Sequence, residues 1–395
     1  MRILWVQETD WIRRNPIHHH HMLERLSLWG HDIKVIDYEI LWRFDGKNGH
    51  RLFQPSLVFN KVSKLIPGAS IDVIRPYMVY IPGVSRLTWF AGNCVELIKL
   101  FRDWRPSVVA GYGVSNGLLA LKLARRFNCS YVHFCMEPTY RMSPTVARPI
   151  AFQFEQSIFR QAQKVVVINN RLVDYAKKMG AGEQKISILK AGMEPFWKTR
   201  PRRDQIRKRL GLGEKDKIIL FVGWLYSHSG LLEVCRSLEN RGRNLKLLII
   251  GEGDIYRELQ KFASRNNNIV LLGQQPHTKA VDFICASDLC IMPSQDTPVT
   301  RDIVPMKVNE YLGAGKPVVS TGLRGMIGEF GTDCGVIYCK EPGDVVDTAA
   351  DLLDSPVLYQ MYSRQARDYT TASGTWDDVA EKFGTILYNQ TQSQA

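Results

Sequence analysis

The sequence lacks the features that would make it secreted, disulfide-bonded or membrane-spanning. It has no Cys-x-x-Cys pair, and its eight cysteines lie scattered, most of them in or beside apolar runs such as FICASDLCIMPS. They read as buried free thiols in a reducing compartment, not as a disulfide framework or a zinc site. There is no uninterrupted apolar stretch of about 18 residues, the length a helix needs to cross a bilayer. The opening MRILWVQETD turns acidic after a strand-length apolar run, which excludes a secretory signal. A cytoplasmic chain is expected, at most peripheral on the inner face of a membrane.

Acidic residues are scarce in one half only. Residues 1–200 carry 29 Lys and Arg against 15 Asp and Glu, whereas residues 201–395 carry 23 against 24. The excess positive charge of the first half points to an anionic partner or to a solvated basic face. Lys61, Lys64, Arg75 and Arg86 are interleaved with apolar residues in 51–90, so docking of the first half on an anionic membrane surface is expected through that stretch. A nucleic-acid partner is not expected, because no aromatic-basic RNA motif or helix-turn-helix signature accompanies the charge.

What the chain does have, over 395 residues, is alternation. RILWVQ, DIKVIDYE, SVVAGYG, SYVHFCME and KVVVINN are short buried runs separated by helical stretches. After a charged, proline- and glycine-rich segment near 195–215 the pattern restarts with KIILFVGWL, LKLLIIGEG, NIVLLGQ, LCIMPS and PVVST. Strands alternating with helices imply parallel sheets covered on both faces. The fold class expected is therefore α/β, with two Rossmann-like doubly wound domains facing across a cleft: residues 1–195, residues 196–365, and a tail, 366–395. The four-histidine run His18–His21 opens a helix. Adjacent helical residues point about 100° apart, so it is not read as a zinc site, although one or two rings are placed to face a cleft.

The strongest local signal is RDIVPMKVNEYLGAGKPVVST, residues 301–321. Asp302 precedes a helix that Pro305 starts, Glu310 lies inside it, and Gly313 and Gly315 end it. A carboxylate near a helix start either caps the helix or accepts hydrogen bonds from vicinal hydroxyls of a sugar or ribose.

This segment resembles the hallmark of glycosyltransferase family 4, whose members have the GT-B fold: an acidic residue, seven residues, a Glu, a small-residue helix end and G-x-P-V-V. Here the first acid is Asp302. FVGWLYSHSGLLEV, LLIIGEGDIYRELQKFA, NIVLLGQ and ASDLCIMPS resemble the family's donor-domain units in order and spacing. LERLSLWGHDIKVID and KISILKAGMEPFWK resemble parts of its first domain, and GTWDDVAEKFGTILY its final helix, which returns to that domain. The likeness is strong over 217–322 and loose over 40–95. It implies a retaining transferase that moves a sugar from a nucleotide diphosphate sugar, with no cofactor beyond that donor, to a glycan or lipid-linked acceptor. It further implies that Glu310 holds the ribose hydroxyls, Asp302 contacts the donor sugar, Gly223 lets backbone approach the diphosphate, and Gly273 to Pro276 read the base.

Two departures from the family pattern stand out. The Arg that usually follows the matched glycine is Trp224, and the Lys six residues past it is Ser229. A diphosphate still needs cations or donors, and Lys307 and Arg301 lie in the hallmark loop; Lys307, at the helix start, is the expected replacement. No Asp-x-Asp occurs, so a divalent metal is not expected.

In the first half, YVHFCMEPTYRMSP runs from strand to loop. The family places a His or an acid at the end of this strand, near the reacting sugar. The likeness does not decide between His133 and Glu137, which lie four apart. Two other readings remain: a nucleotide-sugar 2-epimerase of the same architecture, and a non-catalytic sugar-nucleotide binding protein, motivated by the missing Arg and Lys.

Overall fold

The computed structural model describes residues 1–40, 52–199, 203–239 and 245–392. The chain divides into two compact units, Met1–Ala191 with Trp376–Ala395, and Gly192–Thr375.

The strands of unit 1 are β1 (Arg2–Val6), β2 (Asp32–Ile36), β3 (Phe53–Gln54), β4 (Leu57–Val62), β5 (Ile71–Arg75), β6 (Met78–Val79), β7 (Val108–Gly111), β8 (Ser130–Cys135), β9 (Lys164–Val167) and β10 (Ile186–Ile188). Its helices are α1 (His18–Leu28), α2 (Ser85–Lys99), α3 (Ser115–Arg126), α4 (Arg148–Gln161) and α5 (Asn170–Lys178). Eight strands form one sheet in the order β10-β9-β8-β7-β1-β2-β5-β4, parallel except for the edge strand β4. The sequence dictates this directly: every residue of VVAG in β7 and SYVHFC in β8 is buried, as in strands covered by helices on both faces.

The four histidines do not open onto a cleft; all are buried. The His19 ring lies against Trp5, Trp11 and Tyr112, and His21 stacks on Trp376 with centroids 4.1 Å apart. Burial pulls the His18 pKa down to about 4 and that of His20 to about 3, so these rings are neutral packing groups at neutral pH.

Two of the four cations of 61–86, Lys64 and Arg75, are committed inside the unit, which weakens the expected docking stretch. Arg75 is buried against Asp10 (2.9 Å), Asp37 (2.7 Å) and Glu39 (3.1 Å). Three carboxylates this close need a cation, and an unpaired charge at such depth costs several kcal/mol. The Lys64 ammonium donates to the carbonyl oxygens of Trp11, Ile12 and Arg14, and Arg86 pairs with Glu8. Lys61 is exposed.

Unit 2 has the strands β11 (Lys217–Val222), β12 (Leu245–Ile250), β13 (Ile269–Leu271), β14 (Leu289–Met292), β15 (Val318–Thr321) and β16 (Val336–Cys339). Its helices are α6 (Phe196–Thr199), α7 (Arg203–Leu210), α8 (Leu231–Glu239), α9 (Tyr256–Ala263), α10 (His277–Ala286), α11 (Met306–Gly313), α12 (Arg324–Phe330), α13 (Val345–Asp354) and α14 (Pro356–Ser373). The sheet order is β13-β12-β11-β14-β15-β16, parallel throughout. The direction of winding reverses at β11, and ligands of open α/β sheets bind beyond the carboxyl ends of strands at such a point.

The tail divides later than its sequence indicated. Residue 366 falls inside α14, where Ala366 is buried in the unit 2 core. The break comes at Gly374, whose φ of 82° ends the helix, and the closing helix α15 (Trp376–Gln392) packs on α1 in unit 1. Among the described residues no helix is long and apolar enough to cross a membrane.

Candidate functional site

At the winding reversal of unit 2 the chain leaves β11 through Gly223, whose φ of +148° L side chains rarely adopt. A Cβ there would also run into Lys307 Nζ. The Lys307 ammonium therefore lies against the bare backbone at the strand end, 4.4 Å from the centre of the Phe221 ring. Its position is fixed by the next turn of α11. The Tyr311 hydroxyl accepts the Val222 N–H at 2.9 Å and donates to the Val222 carbonyl at 3.2 Å, which locks α11 to the end of β11. Burial lowers the Lys307 pKa to about 8, against the opposing pull of Glu310.

Glu310 follows on the same helix. Its Oε1 lies 2.8 Å from His277 Nε2 at the first residue of α10. The loop before α10 begins at Gly273 (φ +64°), whose carbonyl accepts the Gly251 N–H at 2.9 Å. Gly223, Gly251 and Gly273 thus follow three neighbouring parallel strands, β11, β12 and β13.

Beside Lys307 lies a cavity of about 160 Å³, lined by Phe221, Trp224, Tyr226, His228, Ser229, Met292, Ile303, Leu323 and Met326 among others. Trp224 gives this cavity an aromatic wall in place of a cation. Tyr226 and His228 stack behind it with centroids 5.0 Å apart. Ser229 Oγ is buried without a hydrogen-bond partner among the described residues. A buried hydroxyl in that condition is costly unless something binds to it.

Of the expected site residues, the fold brings Trp224, Ser229 and Lys307 to one cavity, seats Gly223 against the Lys307 ammonium, and sets Glu310 one turn along α11. The Arg301 guanidinium turns to Asp296 at 2.7 Å and does not line this cavity. Asp302 is not an open carboxylate. Arg324, at the start of α12, grips it with two hydrogen bonds of 2.9 Å each. Sequence reasoning missed Arg324 and His277, which lie 22 and 33 residues from their partners.

In unit 1 the two alternatives on β8 separate. His133 is 1% exposed, its ring packs edge-on against Phe159, and burial pulls its pKa down to about 3. It is a core side chain here. Glu137 is exposed just past the strand, and the protein crowding it raises its pKa above the ordinary carboxylate value. The loop that carries it is pinned by Glu155, whose carboxylate accepts the N–H groups of Thr139 (3.1 Å) and Tyr140 (2.8 Å). Burial pushes Glu155 up to about 7. The sequence signal for it was an acid on the inward face of an otherwise apolar helix, AFQFEQSIF.

Two doubly wound units in one chain, with a helix-start lysine and glutamate below strand-end glycines in the second, define the GT-B class. Residues 202–369 match the family described as glycosyl transferases group 1, and residues 20–192 match a glycosyl transferase 4-like domain. With a match in each half, the chain belongs to the GT-B glycosyltransferases of this kind. It is 24% identical over 268 residues to TuaC of Bacillus subtilis, a candidate teichuronic acid biosynthesis glycosyltransferase; the match covers 66% of this chain and 65% of that protein. In fold it is similar to sucrose-phosphate synthase from Thermosynechococcus elongatus, with a TM-score of 0.74 at 15% identity and 100% of each chain covered. It is likewise similar to Anabaena HepE solved with UDP-glucose, with a TM-score of 0.71 at 12% identity, covering 98% of this chain and 100% of the other.

Proposed function

We propose that the chain moves a sugar from a nucleoside diphosphate sugar, held in unit 2, to an acceptor hydroxyl, with retention at the anomeric carbon. The observation that carries this reading is the Lys307 ammonium seated against Gly223 one turn before Glu310. That arrangement supports the reading, because a cation beside bare backbone suits a diphosphate and a nearby carboxylate suits ribose hydroxyls.

The chemistry then follows from charge. The bond between C1 of the sugar and the phosphate oxygen breaks, the acceptor oxygen bonds to C1, and the acceptor proton passes to the leaving diphosphate. Negative charge builds on that diphosphate in the transition state, so preplaced donors aimed at it are the main catalytic term. Lys307 supplies the charge that the family's Arg and Lys supply elsewhere, and the unpartnered Ser229 hydroxyl donates to a phosphate oxygen. Asp302, oriented by Arg324, faces the donor sugar. The segment from Gly273 to Pro276 meets the base. Glu137 acts on the acceptor side. A glycan or lipid-linked acceptor is proposed, and the likeness to HepE makes uridine the first base to try.

Release of nucleoside diphosphate from a panel of nucleotide sugars, with and without saccharide acceptors, tests the reading. A chain that binds these donors without ever releasing the diphosphate would fit the binding-protein reading instead. Turnover is expected to persist in EDTA, since the proposed site neutralises the diphosphate with Lys307; loss in EDTA with recovery on adding Mg²⁺ would contradict that. His277→Ala is expected to raise the donor KM by about three- to tenfold with kcat nearly unchanged, the effect of losing one hydrogen bond that orients Glu310. His277→Gln, which keeps a donor, should recover most of it. An equal loss in kcat would show that His277 does more than hold its neighbour.

A further inference from the structure

Helices α2, α3 and α4 of unit 1 pack side by side in that order, and their outer surface is unlike that of an ordinary solvated layer. On α2 the exposed Leu87, Val95 and Ile98 follow one another at helical spacing, with Leu87 71% exposed. On α4 and the turn leading into it, Val146, Ile150 and Phe154 recur every four residues, with Val146 90% and Ile150 57% exposed. The inward faces of the same helices carry Trp89, Leu97, Ala151 and Ile158. Helices α2 and α4 are thus apolar on the core side and carry a second apolar row on the solvent side. Exposed apolar residues scattered singly need no explanation, but rows of them on the two helices that flank α3 do.

The charge on this layer is mostly positive. Arg102, Lys122, Arg126, Arg141, Arg148 and Arg160 are exposed on or beside the three helices. The acids are fewer: Asp103 and Glu137 are exposed, Glu96 pairs with Lys99, and Glu155 is buried. Apolar rows flanked by Arg and Lys have the composition of an interfacial surface, which buries its apolar side chains at the acyl boundary and leaves its cations among anionic headgroups.

We propose that the outer surface of α2, α3 and α4 docks unit 1 on a bilayer containing anionic phospholipid. The docking surface is this helical layer, not the stretch with Lys61, Lys64 and Arg75, whose lysine and arginine charges are mostly spent inside the unit. The proposal is independent of the donor site in unit 2.

Sedimentation of the full chain with vesicles tests it. Vesicles containing phosphatidylglycerol should carry the protein down at low salt, phosphatidylcholine vesicles should not, and high salt should release it. The double variant Val146→Glu, Ile150→Glu and the single variant Arg148→Glu change exposed positions. Each should cut the bound fraction about tenfold while leaving the circular dichroism spectrum and nucleoside diphosphate affinity unchanged. Lys61→Glu should bind as the parent does. Failure to sediment with anionic vesicles at low salt would overturn the proposal, as would binding that both variants leave intact. So would a concentration-dependent dimer that the variants dissociate, in the absence of vesicle binding; the layer would then cover a second copy of the chain. Loss of nucleotide binding in the parent protein would bear on the donor reading and leave this one standing.

Discussion

Glu310→Ala is expected to lower kcat/KM for the nucleotide sugar by at least about 100-fold, with the chain still folded. The carboxylate is proposed to accept both ribose hydroxyls, and hydrogen bonds to a charged group are worth about 1.5–3 kcal/mol each. Two of them therefore account for roughly 3 kcal/mol or more, and every 1.4 kcal/mol is tenfold. The substitution also removes the partner of His277, 2.8 Å away. Glu310 is half-buried on a helix, so alanine at that position suits the backbone and melting should change little. Steady-state kinetics on the best donor, with a melting curve as control, checks this. A loss smaller than about fivefold would remove Glu310 from the ribose-binding role.

Lys307→Met is expected to weaken nucleoside diphosphate binding by about 10- to 100-fold, from loss of a charge-assisted contact. Its signature is in the pH dependence. In the free protein burial brings the Lys307 pKa down to about 8, and a bound diphosphate favours the ammonium. Affinity should be level below pH 8 and fall above it, by up to tenfold per unit, as the ammonium must be regained on binding. In the methionine variant that decline should vanish. Stability should move the other way. An ordinary lysine loses its proton near 10.5 and Lys307 in the folded chain near 8, so the folded chain carries a disfavoured charge below pH 8. That penalty fades as pH rises from 8 to 10.5. At neutral pH the variant should therefore melt higher than the parent while binding worse. A variant that melts lower and keeps the pH dependence would point to a packing role for Lys307.

What could be read from the sequence divides by the range of the interaction. The strands of unit 2 and the start and end of α11 were legible because periodicity, Pro305 and the pair Gly313 and Gly315 act locally. The place of Lys307 at the start of α11 was legible because its register follows from helix geometry. The direction of Arg301, on the preceding loop, was not legible because no periodicity fixes a loop side chain, and Asp296 pairs with it. The pair His277–Glu310 joins two helices and Arg324–Asp302 joins a helix to a loop, through tertiary packing that no local signal encodes.

Unit 1 shows the same division. Strands β7, β8 and β9 were plain as buried runs. Residues 52–79 were not, because β3 and β6 are two residues each and β4 pairs antiparallel at an edge with a register shift between Phe59 and Val62. Lys61, Lys64, Arg75 and Arg86 looked alike in the sequence. Three-dimensional neighbours made Arg75 a buried counter-ion and Lys64 a loop anchor. His133 and Glu137 were indistinguishable by spacing, and only the depth of the sheet separates a core ring from a carboxylate at its rim.

Calorimetric titration of the intact chain with uridine, guanosine, adenosine, cytidine and thymidine diphosphates, each beside its monophosphate, tests the central claim most directly. The account expects one diphosphate to bind at a single site, at least about tenfold more tightly than its monophosphate, because the second phosphate is the group Lys307 meets. Lys307→Met should erase that preference while leaving the monophosphate affinity in place. Equal affinity for diphosphate and monophosphate, or no binding by any of the five, would contradict a nucleoside diphosphate sugar site in unit 2.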